Sequence, residues 1–140
     1  MRTRLLLLSC LVAIANPLMA GNPARARRPR LELRATPRMA FSPVLVFMTA
    51  ELRGGEDSEE FYCPALVWDW DDGGRSVHEA DCPPFASGNT MDRRFTAEHA
   101  YGAAGVYNIK VTLKRVDRSV AAATTTVYVR SVLGDPGESE

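Results

Sequence analysis

The stretch VWDWDDGG, residues 67–74, sets two tryptophans among three aspartates and closes on paired glycines. Such residues serve three purposes: indoles that stack on a sugar, carboxylates that ring a calcium ion, or a β-strand that runs into a turn. Parity is the first discriminator. Residues two apart project from the same side of a strand, so Leu66, Trp68 and Trp70 share one face while Val67 and Asp69 share the other. Spacing is the second. With Asp69 at position 1 of an EF-hand loop, Asp71 and Gly74 fall correctly at positions 3 and 6, but Gly73 and Ala80 occupy positions 5 and 12, where oxygen ligands are required. The EF-hand reading fails, and a strand ending in an Asp/Gly turn remains.

Downstream the alternation is stricter. In RRFTAEHAY, Phe95, Ala97, His99 and Tyr101 share a face and Arg94, Thr96 and Glu98 take the other. After the turn GAAG, the run VYNIKVTLK turns Tyr107, Ile109, Val111 and Leu113 inward and Asn108, Lys110, Thr112 and Lys114 outward. One buried and one wet face per strand is the pattern of an antiparallel sheet. Residues 120–130 form a last strand dense in β-branched residues. Upstream, Leu31, Leu33 and Ala35 alternate up to Thr36-Pro37. The run VLVFMTAEL after Pro43 is apolar on both faces as far as Met48, which predicts a strand covered on each side at one end. Six or seven short strands with turn residues at their junctions and no amphipathic helix predict an all-β, antiparallel two-sheet β-sandwich.

The segments VWDWDDG, HAY and GVYNIKVTL together resemble the PKD (polycystic kidney disease) domain, whose hallmarks are a W-D-F-G-D-G strand and turn and an H-x-Y…G-x-Y-x-V-x-L run. The resemblance spans roughly residues 31–129 and departs from the pattern at Trp70, where Phe is usual, and at Asp71, where Gly is usual. It implies an immunoglobulin-like β-sandwich used as an extracellular module for protein or carbohydrate contacts, or as a spacer. In such a core a tryptophan on the central strand is buried, which makes Trp68 structural. His99, Tyr101, Gly105 and Tyr107 are structural by the same motif.

Ligand candidates follow from what the core leaves over. Trp70, nearer the turn, is the better placed of the two indoles for a ligand contact, together with Asp71 and Asp72. A looser calcium shell from Asp71, Asp72, Glu79 and Asp81 is the weak metal candidate, since calcium accepts irregular carboxylate sets. Residues 74–93 form a long polar excursion stiffened by Pro83-Pro84, on which Phe85 either serves as an interface anchor or folds back over the sandwich edge. No G-x-S-x-G motif or other assembled nucleophile is present, and His99 lies among core residues, so a non-enzyme is expected.

The chain ends bound the setting. In the first twenty residues, MRTRLLLLSCLVAIANPLMA, two arginines precede an apolar run, an Asn-Pro break and small residues, the layout of a secretory signal peptide cleaved near Ala20. The run is shorter than the ~20 residues of a membrane span, and Cys10 goes with the leader. Residues 21–30, GNPARARRPR, read as a basic Pro/Arg-rich linker, residues 31–130 as the domain, and residues 131–140 as a polar acidic tail. Of the 17 basic side chains, Arg2 and Arg4 belong to the leader, which leaves 15 against 17 acidic ones; without a basic excess, nucleic acid is not the expected partner. Cys63 and Cys82, in an exported chain, read as a disulfide. A zinc site with His78 and His99 lacks the usual paired-ligand spacing. The whole describes a secreted or periplasmic PKD-like domain without cofactor, binding a protein partner or, alternatively, a surface glycan.

Overall fold

The computed structural model describes residues 29–79 and 81–132. The leader, most of the basic linker and most of the acidic tail lie outside these residues. Eight strands follow in order: β1 (Arg30–Thr36), β2 (Met39–Phe41), β3 (Val44–Arg53), β4 (Ala65–Asp69), β5 (Arg75–His78), β6 (Arg94–Tyr101), β7 (Gly105–Arg115) and β8 (Arg118–Arg130). They form a three-stranded sheet, β1-β3-β6, and a five-stranded sheet, β2-β8-β7-β4-β5. Every pairing is antiparallel except that of β2 with β8. This is the two-sheet β-sandwich the alternation predicts, of the immunoglobulin-like kind the resemblance implies.

The core lies where the inward parities meet. Val46, Met48 and Ala50 of β3 face Leu66 and Trp68 of β4 and Ile109, Val111 and Leu113 of β7 within one apolar cluster. The β-branched residues among them suit a pleated surface, because their restricted side-chain torsion costs little there. Two strands were not legible as such. β5 lies inside the expected excursion, and its four residues are all exposed, so burial imposes no alternation on it. β2 has three residues, and the chain crosses to it and back through cis peptide bonds at Thr36-Pro37 and Ser42-Pro43.

The expectation for β3 needs correction. Its inner face is buried as predicted, but Leu45 and Phe47 stand exposed on the outer face of the three-stranded sheet. They face outward because β3 is the middle strand of a sheet whose second face carries no further layer among the described residues. Beyond them the same outer face changes character. Glu51 accepts hydrogen bonds from Arg94 and pairs with Arg53, and Arg53 and Arg34 lie beside Glu32.

Cys63 and Cys82 are bonded. The link ties the approach to β4 to the segment after β5 across a sequence separation of 19, so it withdraws chain entropy from the unfolded state. Replacing both by alanine is expected to lower the unfolding free energy by about 3 kcal/mol, measured by urea denaturation of the oxidised protein and the double variant.

Candidate functional site

The residues first singled out converge on one corner, where β4 leaves the five-stranded sheet and β6 closes the three-stranded one. Their rings form a continuous ladder. Trp68 and Trp70 stack with centroids 5.5 Å apart, Trp70 and His99 stack at 4.5 Å, and His99 meets Tyr101 edge-on at 4.9 Å. Tyr107 continues the series 4.1 Å from Tyr101. The ladder places Trp70 at only 2% exposure, because the imidazole of His99 covers the indole from the opposite sheet. Trp70 is therefore not the exposed stacking platform sought from the sequence. Its indole N–H donates to Ser76 Oγ at 2.9 Å, and its carbonyl accepts from the buried Tyr101 hydroxyl at 2.9 Å. Burial, with the nearby carboxylates of Asp72 and Asp71 adding to it, pushes the Tyr101 hydroxyl well above its ordinary titration range, so it stays a donor.

The carboxylates are held as firmly. Asp69 accepts from the Asp71 amide at 3.3 Å and from Arg75 at 2.9 Å. Asp71 adopts a left-handed backbone, φ 60°, a conformation that Asp tolerates better than most residues, and its carboxylate accepts from the Asn108 amide at 2.7 Å. That contact ties the turn to β7 and gives the departure from the family's glycine a structural role. Asp72 accepts from the Gly74 amide at 2.8 Å and from His99 Nε2 at 2.6 Å. Since an ionised carboxylate only accepts, Nε2 carries the proton. At Gly74 a Cβ would lie 2.8 Å from Asp72 Oδ1, so any larger residue would displace that carboxylate.

Asp71 and Asp72, though exposed, are thus engaged by the fold's own amides and imidazole. Glu79 and Asp81 are exposed beyond β5, and among the described residues no three His, Cys, Asp or Glu side chains come together as a metal-binding group. The calcium shell drawn from those four acids does not assemble. Phe85 is partly buried and meets Tyr62 edge-on at 5.3 Å, so it folds back onto the domain. Gly105 opens β7 with Tyr107 packed against it, and the Tyr107 hydroxyl donates to the Ala103 carbonyl at 2.9 Å. The pair of His99 and Asp72 has the arrangement of a base with its orienting acid, but among the described residues no hydroxyl or thiol is hydrogen-bonded to His99. As built, the corner is a fastening between sheets.

Sequence reasoning passed over a different set of side chains: Met39, Phe41, Val106 and Tyr128, all exposed. Val106 and Tyr128 occupy the outward parity otherwise held by Asn108, Lys110, Thr124 and Thr126, and that break in polarity was the available cue.

This architecture is that of an immunoglobulin-like β-sandwich, and more narrowly the fold of a PKD domain. A solved PKD domain of an M14-like peptidase from a Thermoplasmatales archaeon superposes with a TM-score of 0.52 and 13% identity, over 75% of this chain and 99% of that one. A CARDB domain from Pyrococcus furiosus, solved in complex with di-metal ions, gives 0.46 and 12% identity over 75% and 96%. No family model matches the sequence, and no curated protein does.

Two outcomes follow for the corner. Tyr101→Phe leaves the buried Trp70 carbonyl without its donor and is expected to cost about 1–2 kcal/mol, read as a shift of the urea midpoint at constant slope. For pH, the hydrogen bond from His99 holds the Asp72 carboxyl below its usual range, the Gly74 amide adds to this, and partial burial opposes it. A depressed folded value makes the contribution complete above the ordinary Asp range near pH ~4 and lost as pH falls through the folded value. Asp72→Asn is expected to flatten the acid side of the stability profile without abolishing it, since Arg75 lowers Asp69 and Arg94 lowers Glu51 in the same sense.

Proposed function

We propose that this chain is an exported, non-catalytic PKD-like domain that binds a protein partner, as an interaction or scaffolding module, at the cell surface or in the periplasm. The leader-like first twenty residues, the disulfide and the fold support export; among the described residues no helix is long and apolar enough to cross a membrane. The alternative, carbohydrate binding, loses its intended platform with the burial of Trp70.

The observation that carries the protein-binding reading is Val116. It sits at the tip of the β7–β8 hairpin, 82% exposed, with a left-handed backbone of φ 55°. A β-branched residue is a poor occupant of that conformation, which costs an L-residue about 1–2 kcal/mol, and exposure denies it any burial in return. Strain of this kind is kept where a site uses it. Beside it lies a groove of about 360 Å³ lined by Glu59, Glu60, Arg115 and Val116, and Glu60 also accepts from Arg118 at 2.9 Å. An apolar knob rimmed by charges of both signs is the layout of a protein contact with an apolar centre and a polar rim.

Val116→Gly separates fold from function. It relieves the backbone, so the expected result is a domain at least as stable as the wild type that retains less partner when immobilised and exposed to a cell-envelope extract. Equal retention by wild type and variant, or none by either, would count against this reading.

A further inference from the structure

The exposed apolar side chains are not scattered. Of the nine large ones exposed among the described residues, only Val77 and Val116 lie away from one end of the sandwich. That end is where β1 and β8 finish, β3 and β7 begin, and the turn at residues 102–104 joins β6 to β7. On the three-stranded sheet it carries Leu45 and Phe47, the latter 54% exposed. On the five-stranded sheet Val106, Tyr128 and Met39 stand in register across β7, β8 and β2, with Phe41, 59% exposed, opposite Arg130. Val132, just beyond β8, adds to the same end.

Two features identify what fits such an end. The first is shape, since the apolar side chains lie on both outer faces of the sandwich and so flank the end on two sides. A flat protein surface would cover one face and leave the other wet, whereas a fluid apolar medium surrounds both. The second is charge. Residues 37–46, 99–107 and 127–132 contain no carboxylate, and the turn at residues 102–104 is Gly-Ala-Ala. The arginines there are Arg38 and Arg130, both exposed and neither in an ion pair among the described residues. The carboxylates nearest this end are Glu98, exposed and level with Phe47, and Asp71 and Asp72, exposed in the β4–β5 turn and bonded to Asn108, Gly74 and His99; they mark the level at which the surface becomes charged. Phe47 lies three residues in from the start of β3, roughly 10 Å at strand rise, and is level with Glu98, so it marks the outer boundary of an end that sinks the ~5–10 Å typical of interfacial elements.

We propose that this end of the sandwich inserts into a phospholipid surface, with Phe41, Leu45, Val106 and Tyr128 toward the upper acyl chains, Phe47 at their boundary, and the heads of Arg38 and Arg130 reaching back to the phosphates. Arginine suits that level because its apolar stem follows the chains while its head reaches the phosphate plane. The contact goes beyond the protein-binding reading, which rests on Val116 at the opposite end. Purified lipid tests it without any protein partner, so either proposal can fail alone.

The test is flotation of the exported, processed protein with vesicles of phosphatidylglycerol and phosphatidylethanolamine, and with vesicles of phosphatidylcholine alone. The variants are F41S/F47S and R38Q/R130Q, whose side chains are exposed; unchanged thermal unfolding certifies their fold. The wild type is expected to float with both and to prefer the anionic vesicles. F41S/F47S should lose at least tenfold in partition coefficient, since two rings leave the apolar phase. R38Q/R130Q should lose most of the anionic preference, about fivefold for each charge removed. No flotation of the wild type overturns the proposal, as does equal flotation of F41S/F47S. An anionic preference untouched in R38Q/R130Q, which would move the headgroup contact to the arginine-rich residues 25–30, overturns it too. A dimer by light scattering that F41S/F47S dissolves would show a second copy covering this end, and would likewise overturn it.

Discussion

The hydrogen bond from the Tyr101 hydroxyl to the Trp70 carbonyl joins the last residue of a strand in one sheet to the residue that leaves a strand in the other. Much of the corner depends on it. With the Trp70 carbonyl fixed, the indole takes one orientation, its N–H reaches Ser76 on β5, and its ring supplies the surface on which His99 lies flat. His99 then meets Asp72, and Asp72 in turn holds the Gly74 amide, which closes the turn between β4 and β5. A buried hydroxyl that must find an acceptor, and a buried carbonyl that must find a donor, leave few alternative arrangements. Both polar groups are satisfied by one contact, and the aromatic surfaces around it exclude water.

Parity carried the sequence reading a long way. It assigned inner faces correctly to β4, β6 and β7, and the motif residues Trp68, His99, Tyr101 and Tyr107 fell together in one cluster as those faces imply. It stopped at questions that parity does not address. Alternation says to which side Trp70 points but not that an imidazole 29 positions later will cover it. Nor does it say whether an outward apolar residue is capped, which is why the outer side chains of β3 were expected under cover. The acidic turn misled for a related reason: Asp71 and Asp72 looked available because their hydrogen-bond partners, Asn108 and His99, are remote in sequence. Composition drew attention to the corner's residues, and only the pairing of the sheets showed that they face one another.

The two ends of the sandwich differ in chemistry. Toward the start of β1 the outer surface is a lattice of opposite charges, with Glu32, Glu51, Arg53 and Arg94 in contact, and Arg93 binds the carbonyls of Gly54 and Gly55 and the carboxylate of Asp57. Ion pairs this exposed contribute little stability each, but charged side chains along β1 and β6, the edges of their sheet, discourage another chain from pairing there. In the five-stranded sheet, the edge strand β2 carries Met39 and Phe41 instead. The protection of edges is uneven, and it is relaxed at the end where apolar side chains accumulate.

The direction in which the chain runs through this frame has a mechanical side. β1 begins at one end of the sandwich, paired with the finish of β3, and β8 finishes at the other, beside the start of β7. A pull applied through the outer ends of these two strands runs along their length. Interstrand hydrogen bonds lie across that axis, so those between β1 and β3 and between β7 and β8 share the load side by side instead of opening in succession. Held at both ends, such a domain behaves as a tensile link, firm along the line that separates its charged end from its apolar one.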